Sequence, residues 1–339
     1  MSRTIRFLLI LGVLSILTNA IAVHPTLPTY KPASVRPVST YSIIAIDPER
    51  NEMGFAVQSH WFNVGRVVGW AEPGVGVVAT QSLVNIAYGP QGLDLMRQGL
   101  TAEQALKAVT SVDPGRDVRQ VAMLDIRGNV AAFTGKNCIP EAGHHIGKTF
   151  SAQANLMEKK TVWDAMAHAF ETTDGDLADR LMAALEAAQA EGGDIRGRQS
   201  AAMKIVRIHP DGPAWANVLL DLRVEDHPEP LNELRRLIEI HRAYEAMNQG
   251  DLAIEKKNYR KAAEFYQQAI EHLKGNPEPR FWYAVGLVNA GNLQQALPQF
   301  QKVFQVDRKW WVLLRRLPAV GLFPNDEHVW SELRKIAPR

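Results

Sequence analysis

Between residues 40 and 225 the hydrophobic pattern switches repeatedly between period 2 and helical spacing, and the order of those switches constrains the fold more than any other feature. Alternating, β-rich stretches cover 41–47, 53–59, 64–70 and 75–81 in succession. Two helical segments follow, Gly89–Gln98 and Thr101–Ser111, the second opened by Thr101-Ala-Glu-Gln104, which has the form of a capping box. Strands are then expected at 118–125 and 129–134, joined by a turn that uses Gly128, and at 149–154. Helices at 161–172 and 175–191 and strands at 201–208 and 216–224 complete the pattern β4-α2-β3-α2-β2. Paired helices between runs of strands do not suit a parallel βαβ sheet, which alternates single elements. They suit two stacked sheets with helix pairs outside, a four-layer αββα sandwich of the α+β class.

Thr40 heads the first of these strands, Thr40-Tyr-Ser-Ile-Ile-Ala-Ile-Asp47. A threonine hydroxyl works as a nucleophile without a histidine if the chain is cut just before it, because the freed α-amine, of pKa about 7.7–8.0, can take its proton. The element order, with a hydroxyl residue at the first strand's head and Ala-x-Asp within that strand, resembles the N-terminal-nucleophile hydrolase fold of proteasome subunits. Residues 40–225 further resemble the domain of unknown function 1028 family, assigned to that fold class. The matching blocks include Gly54-Phe-Ala-Val-Gln-Ser-His60, Gly76-Val-Val-Ala-Thr-Gln81, Thr134-Gly135, Ala142-Gly-His144, Asn155-Leu-Met157 and Gly192-Gly-Asp-Ile-Arg-Gly197. The resemblance implies a place for a site at Thr40 and names no substrate. This chain departs from the family's frequent pattern, a threonine directly after the initiator Met, so a free amine requires an internal cut between Ser39 and Thr40. It also lacks the lysine that such enzymes commonly hold near the nucleophile: residues 61–85 contain no Lys and one cation, Arg66.

Other candidates surround that position. Ser59 and His60 end the second strand, at the rim of the cleft in this fold, where they could orient substrate or supply an oxyanion donor; a simple strand-end turn is the alternative. Thr80, Gln81 and Asn85 close the fourth strand, where hydroxyl and amide groups could recognise an amide substrate or only anchor a loop. His144 could line the site. Cys138 could act as a nucleophile with His144 or His145 as base, or be a small buried hydrophobe. In the glycine loop Gly192–Ser200, Arg196 could clamp a substrate carboxylate or brace Asp194. No His-Glu-x-x-His, Cys-pair, calcium-loop or phosphate-loop pattern occurs, so no metal and no cofactor is expected.

At the N-terminus, Arg3 and Arg6 precede the apolar run Phe7–Leu17, and Ala20-Ile-Ala22 is a small-residue cleavage signature. Residues 1–22 therefore read as a signal peptide cleaved after Ala22, which makes the protein exported, periplasmic or secreted, without stable membrane insertion. Pro25, Pro28, Pro32 and Pro37 mark 23–39 as an extended leader. A net charge of +2, from 38 basic and 36 acidic residues, argues against nucleic acid as a partner. The single cysteine excludes an internal disulfide.

After His227-Pro-Glu-Pro230 the pattern is helical throughout, which puts a domain boundary between 40–226 and 231–339. Tyr259, Ala262, Tyr266 and Ile270 recur 34 positions later as Leu293, Ala296, Phe300 and Phe304, the tetratricopeptide period, with Lys257-Asn258 and Gly291-Asn292 at equivalent turns. Two repeats need flanking helices as caps, expected at Leu231–Gln249 and from about Val312 to Ile336. Two functions follow as expectations: an exported amide hydrolase acting on a small amide or peptide, or a non-catalytic binding or scaffold protein, in one version associated with the cell wall, whose repeats recruit a protein partner.

Overall fold

The computed structural model describes Val38 and residues 40–338; the signal-peptide assignment, most of the leader and the Ser39 side of the expected cut lie outside the described residues. The chain starts as a hairpin, β1 (Thr40–Asp47) paired with β2 (Glu52–Ser59). It continues through β3 (Gly69–Glu72), β4 (Gly76–Ser82), α1 (Tyr88–Arg97), α2 (Ala102–Ser111), β5 (Arg119–Asp125), β6 (Val130–Thr134), β7 (Gly143–Ile146) and β8 (Phe150–Ala154). Then come α3 (Val162–Thr172), α4 (Leu177–Ala190), β9 (Ser200–Arg207) and β10 (Val218–Val224). The strands form a six-stranded sheet ordered β10-β9-β2-β1-β8-β7 and a four-stranded sheet ordered β3-β4-β5-β6, antiparallel throughout. The mixed α+β architecture thus agrees with the sequence pattern.

Alternation along β1 assigns its two faces. Tyr41, Ile43 and Ala45 join a core with Met166 and Phe170 of α3 and Leu181 and Leu185 of α4. Ile44 and Ile46 point the other way, into a second core shared with Val77 and Ala79 of β4 and Ala122 and Leu124 of β5. Val78, Val121 and Met123, on the outer face of the four-stranded sheet, pack against Leu93, Met96, Leu106 and Val109 of α1 and α2. The capping box at Thr101 is present: its hydroxyl accepts from Gln104 N–H while the Gln104 side chain accepts from Thr101 N–H.

Two expectations need correction. The stretch 64–70 is not one strand. Asn63, at φ 51°, starts a 3-10 turn at Val64–Arg66, and only Gly69–Glu72 is extended. The alternating valines there are apolar because Val64 and Val68 fill the inter-sheet core, a demand a turn meets as well as a strand. A strand was also missed, so the order is β4-α2-β4-α2-β2: Gly143-His-His-Ile146 is an edge strand with one neighbour, and its composition carries little strand signal.

The C-terminal part begins with the 26-residue α5 (Pro230–Glu255). Leu231, Leu234 and Ile238 complete the α3–α4 core, whereas Ala243, Ala246 and Met247 pack with Tyr266 and Ala269 of α6 (Tyr259–His272). After α7 (Glu278–Asn289), α8 (Leu293–Val306) repeats α6. The equivalent turns are built alike. Asn258 N–H reaches Ala253 O and Asn292 N–H reaches Leu287 O, both at 2.8 Å, while Lys257 (φ 57°) and Gly291 (φ 81°) occupy the left-handed position. This is the Schellman closure, which favours glycine and tolerates few other residues. The expected final helix is broken: α9 (Lys309–Leu314), a 3-10 turn at Leu317–Val320 that contains Pro318, and α10 (Glu327–Lys335), preceded by Pro324, replace it.

Candidate functional site

Thr40 lies between β2 and β8 in the six-stranded sheet, opposite Ser59, and is fully buried on the face that meets the other sheet. Its hydroxyl donates to the Val38 carbonyl at 2.9 Å. Val38 itself belongs to the other sheet's edge. It exchanges two backbone bonds with Ser82 at the end of β4, 2.7 and 3.0 Å, and its side chain fills the inter-sheet core. The chain thus crosses from one sheet to the other within two residues. The Thr40 carbonyl accepts from Asn155 N–H and from Gln81 Nε2, each at 3.1 Å.

Behind Thr40 the two sheets present facing rows of neutral polar residues. On the six-stranded sheet the cross-strand row is His144, Gln153, Ser42; on the four-stranded sheet it is Thr134, Gln120, Gln81. Ser42 Oγ donates to Gln81 Oε1 at 2.7 Å and accepts from Gln153 Nε2 at 2.7 Å. Gln120 Oε1 accepts from Gln81 Nε2 (2.7 Å) and Asn155 Nδ2 (3.0 Å), while Gln120 Nε2 donates to Thr134 Oγ1, Gly143 O and Ala154 O at 2.9–3.0 Å. Ser42, Gln81, Gln120, Gln153 and Asn155 are completely buried. Such a network is stabilising only while nearly every group is paired, and it holds the two sheets in one relative position.

The row ends at His144. Thr134 Oγ1, which accepts from Gln120 Nε2, also shares a 2.8 Å hydrogen bond with His144 Nδ1, whose donor is set by the ring tautomer. Burial lowers the His144 pKa below its ordinary value, in keeping with a neutral ring.

Of the residues singled out from sequence, Thr40, Ser59 and Gln81 come together, and His144 is joined to them through Thr134 and Gln120. Thr80 and Asn85 are not in this group. Thr80 points to the other face of β4 and donates to Asn85 O at 3.2 Å, and Asn85 Oδ1 accepts from Ala87 N–H, so both brace the loop into α1. His60 is exposed, and its backbone N–H donates to Asp194 at 3.2 Å. Asp194 is buried and takes a two-pronged contact from Arg196, Nε–Oδ1 3.0 Å and Nη2–Oδ2 2.7 Å, as well as the Arg196 N–H at 3.0 Å. The loop brace is therefore realised. A Cys138–histidine pairing is not: Cys138 donates to Arg119 O, His144 bonds Thr134, His145 pairs with Asp164, and burial pushes the thiol's pKa up.

Sequence reasoning missed Ser42, Gln120, Ser151 and Gln153. Their signal was polar residues at every second position of otherwise apolar strands, Ser151-x-Gln153-x-Asn155 most plainly. Among the described residues no group of three or more His, Cys, Asp or Glu side chains could hold a metal. No helix among them is long and apolar enough to cross a membrane.

A family model described as "Family of unknown function (DUF1028)" matches residues 40–234, more than half of the chain. The chain belongs to the DUF1028 family. A tetratricopeptide repeat model matches residues 253–317, which include both copies of the 34-residue recurrence. Among solved structures, the chain is similar to a DUF1028 protein from Silicibacter pomeroyi: 34% identity over 59% of this chain and 88% of that one, with a TM-score of 0.53. No curated protein matches. Tetratricopeptide-like repeats are commonly protein-interaction modules, which gives the DUF1028 domain here a neighbour suited to recruiting a partner.

Proposed function

We propose that this DUF1028 protein is an exported amide hydrolase of the N-terminal-nucleophile type, latent until the chain is cut between Ser39 and Thr40. One observation carries the reading: the buried Thr40 hydroxyl is bonded to Val38, a residue that this cut would remove. Thr40 would keep its place afterwards, since its carbonyl is held by Asn155 and Gln81 and its strand is paired on both sides. Among the described residues no titratable side chain bonds Thr40 Oγ1. The general base is then the freed α-amine itself. In the proposed reaction the amine takes the hydroxyl proton as Oγ1 bonds to the substrate's amide carbon. The proton passes to the leaving nitrogen as the C–N bond breaks, and water then hydrolyses the resulting ester. Two sheets face to face, each backed by a helix pair, suit the fold class in which this chemistry occurs.

N-terminal sequencing and intact mass of the exported protein test the proposal, together with hydrolysis of a panel of chromogenic amides. A chain beginning at Thr40 that loses hydrolysis on Thr40→Ala and keeps part of it on Thr40→Ser is expected. A chain that begins at Val23, or whose hydrolysis survives Thr40→Ala, refutes it. The repeat match supports a second reading, a binding protein whose helical part recruits another protein, and that reading prevails if the uncut chain is the mature form.

A further inference from the structure

From Lys302 through Leu322 the chain carries five Lys or Arg residues and one acid, Asp307. Among the described residues none of the five makes an ion pair or a side-chain hydrogen bond, and only Arg315 lies near a ring, that of Trp311 at 6.0 Å. By contrast, Arg235, Arg236 and Arg242 of α5 are each matched to carboxylates. The acids nearest in the chain are already engaged. Asp307 accepts from Lys309 N–H at 2.8 Å, Asp326 caps α10, and Glu327 and Glu332 pair with Arg334 and Lys335.

Four of these cations point the same way. The backbone stays helical from Arg308 to Arg316, through α9 and the residues at its ends. Arg308 and Arg315 are seven residues apart, as are Lys309 and Arg316, so at about 100° per residue the four occupy an arc of roughly 120° on one side. Val312 falls within that arc and is half-buried, while Leu314, on the opposite side, is fully buried in the core with Phe300 and Phe304. Large apolar side chains accompany the cations. Val306, just before α9, is 61% exposed, and Val320 and Leu322, in the turn after it, are 70% and 52% exposed, with Gly321 at φ 75° between them. Exposed apolar residues scattered singly are ordinary, but these three stand together beside cations that have no partner, and the two features make one amphipathic surface.

We infer that this end of the repeat helices docks on an anionic lipid surface, with Val320 and Leu322 entering the headgroup layer while Arg308, Lys309, Arg315 and Arg316 meet lipid phosphates. Clustered Lys and Arg draw a protein to such a surface, and neighbouring apolar side chains hold it there by leaving water. Nucleic acid would satisfy the cations but leave Val320 and Leu322 in water. A groove for an acidic peptide would enclose those two more than their exposure allows. The contact is peripheral, since among the described residues no helix is long and apolar enough to cross a membrane. It is independent of any cut at Thr40.

The test is co-flotation of the exported protein with vesicles of phosphatidylcholine alone and of phosphatidylcholine mixed equally with phosphatidylglycerol. Two double variants, Arg315→Gln/Arg316→Gln and Val320→Ser/Leu322→Ser, are compared with the parent, so any contribution from the chain's N-terminus is the same in all three. Binding to the mixed vesicles that is weak on the neutral ones, falls in high salt and is reduced roughly tenfold or more in each variant is expected. All four substituted residues are exposed, and an unchanged melting temperature of each variant confirms an intact fold. Equal binding to neutral vesicles, no binding to the mixed ones, or binding that either variant leaves unaltered overturns the inference. Soluble poly-L-glutamate binding the protein as tightly after Val320→Ser/Leu322→Ser as before, with no vesicle binding, would instead mark the surface as one for an acidic polypeptide.

Discussion

Replacing Gln120 by leucine should loosen the two sheets from one another. Its amide has five neighbours, two donors to Oε1 and three acceptors around Nε2, but two protons and two lone pairs limit it to about four good bonds. At about 1 kcal/mol net for each neutral bond the loss is about 4 kcal/mol, and the leucine's own apolar transfer is offset by the polar groups it leaves facing it. Asn155 Nδ2 suffers most, being left with a 3.5 Å contact to Thr40 O. For a domain of this size, 1 kcal/mol moves the melting temperature by about 2–4 °C, so a fall of about 8–16 °C is expected in the transition of the sheets. Hydrogen exchange should accelerate in β7 before elsewhere, because Gln120 Nε2 holds Gly143 O and the edge strand has only β8 beside it. Gln120→Glu should be at least as harmful, since a carboxylate would face three acceptors and lose both donors. A fall of less than about 3 °C in Gln120→Leu with unaltered exchange in β7 would show that the network contributes little and that apolar packing alone holds the sheets in place.

The remaining expectations can be checked with standard variants. His144, whose folded pKa lies below that of the free side chain, binds fewer protons in the folded state than in the unfolded one; stability should therefore fall as pH drops below about 6.5, and His144→Asn should flatten the melting temperature between pH 5 and 7. Removing Arg242 leaves Asp176, Asp179 and Glu239 facing one another where α5 crosses the start of α4. For these partly exposed groups the cost of Arg242→Leu should be about 1–2 kcal/mol, seen as a separate earlier melting of the repeat helices in calorimetry. Gly250→Ala should destabilise despite alanine's gain of about 1 kcal/mol in helix propensity, because the added carbon would stand 2.7 Å from the buried Tyr266 ring; a raised repeat melting temperature would refute that.

The fold was legible wherever periodicity was paired with an end signal. Thr101 with Gln104 fixed the start of α2, and the 34-residue recurrence of Ala262 as Ala296 fixed the helical repeat, both alanines being fully buried where helices meet. It was least legible where burial and backbone conformation part company. Val64 and Val68 are as buried as strand residues, yet the backbone between them turns, so their spacing indicated a strand that is not there. The site showed the opposite failure. Thr40 and Gln81 were visible because they stand at strand ends, where chemistry is sought, whereas Gln120 and Gln153 are in strand interiors and would be discounted by any rule that reads inward positions as apolar. Their inward direction follows from register alone: Gln120 pairs with Gln81, and Gln153 with Ser42. Register comes from long-range pairing, which one strand's sequence does not encode.

The polar rows also limit where a reaction could occur. Ser42, Gln81, Gln120 and Gln153 saturate one another and carry no charge, so none can accept a proton from Thr40; their effect is to hold its carbonyl and strand rigidly. His144 is separated from Thr40 by Thr134, Gln120 and an amide, and amide side chains do not relay protons at neutral pH. Among the described residues no side chain can act as base for the Thr40 hydroxyl, which leaves the backbone nitrogen of Thr40 itself, and an intact peptide nitrogen has no basic lone pair to give. In the proposed mechanism chemistry at Thr40 therefore requires a cut Ser39–Thr40 bond, which makes the N-terminal residue of the mature chain the decisive measurement.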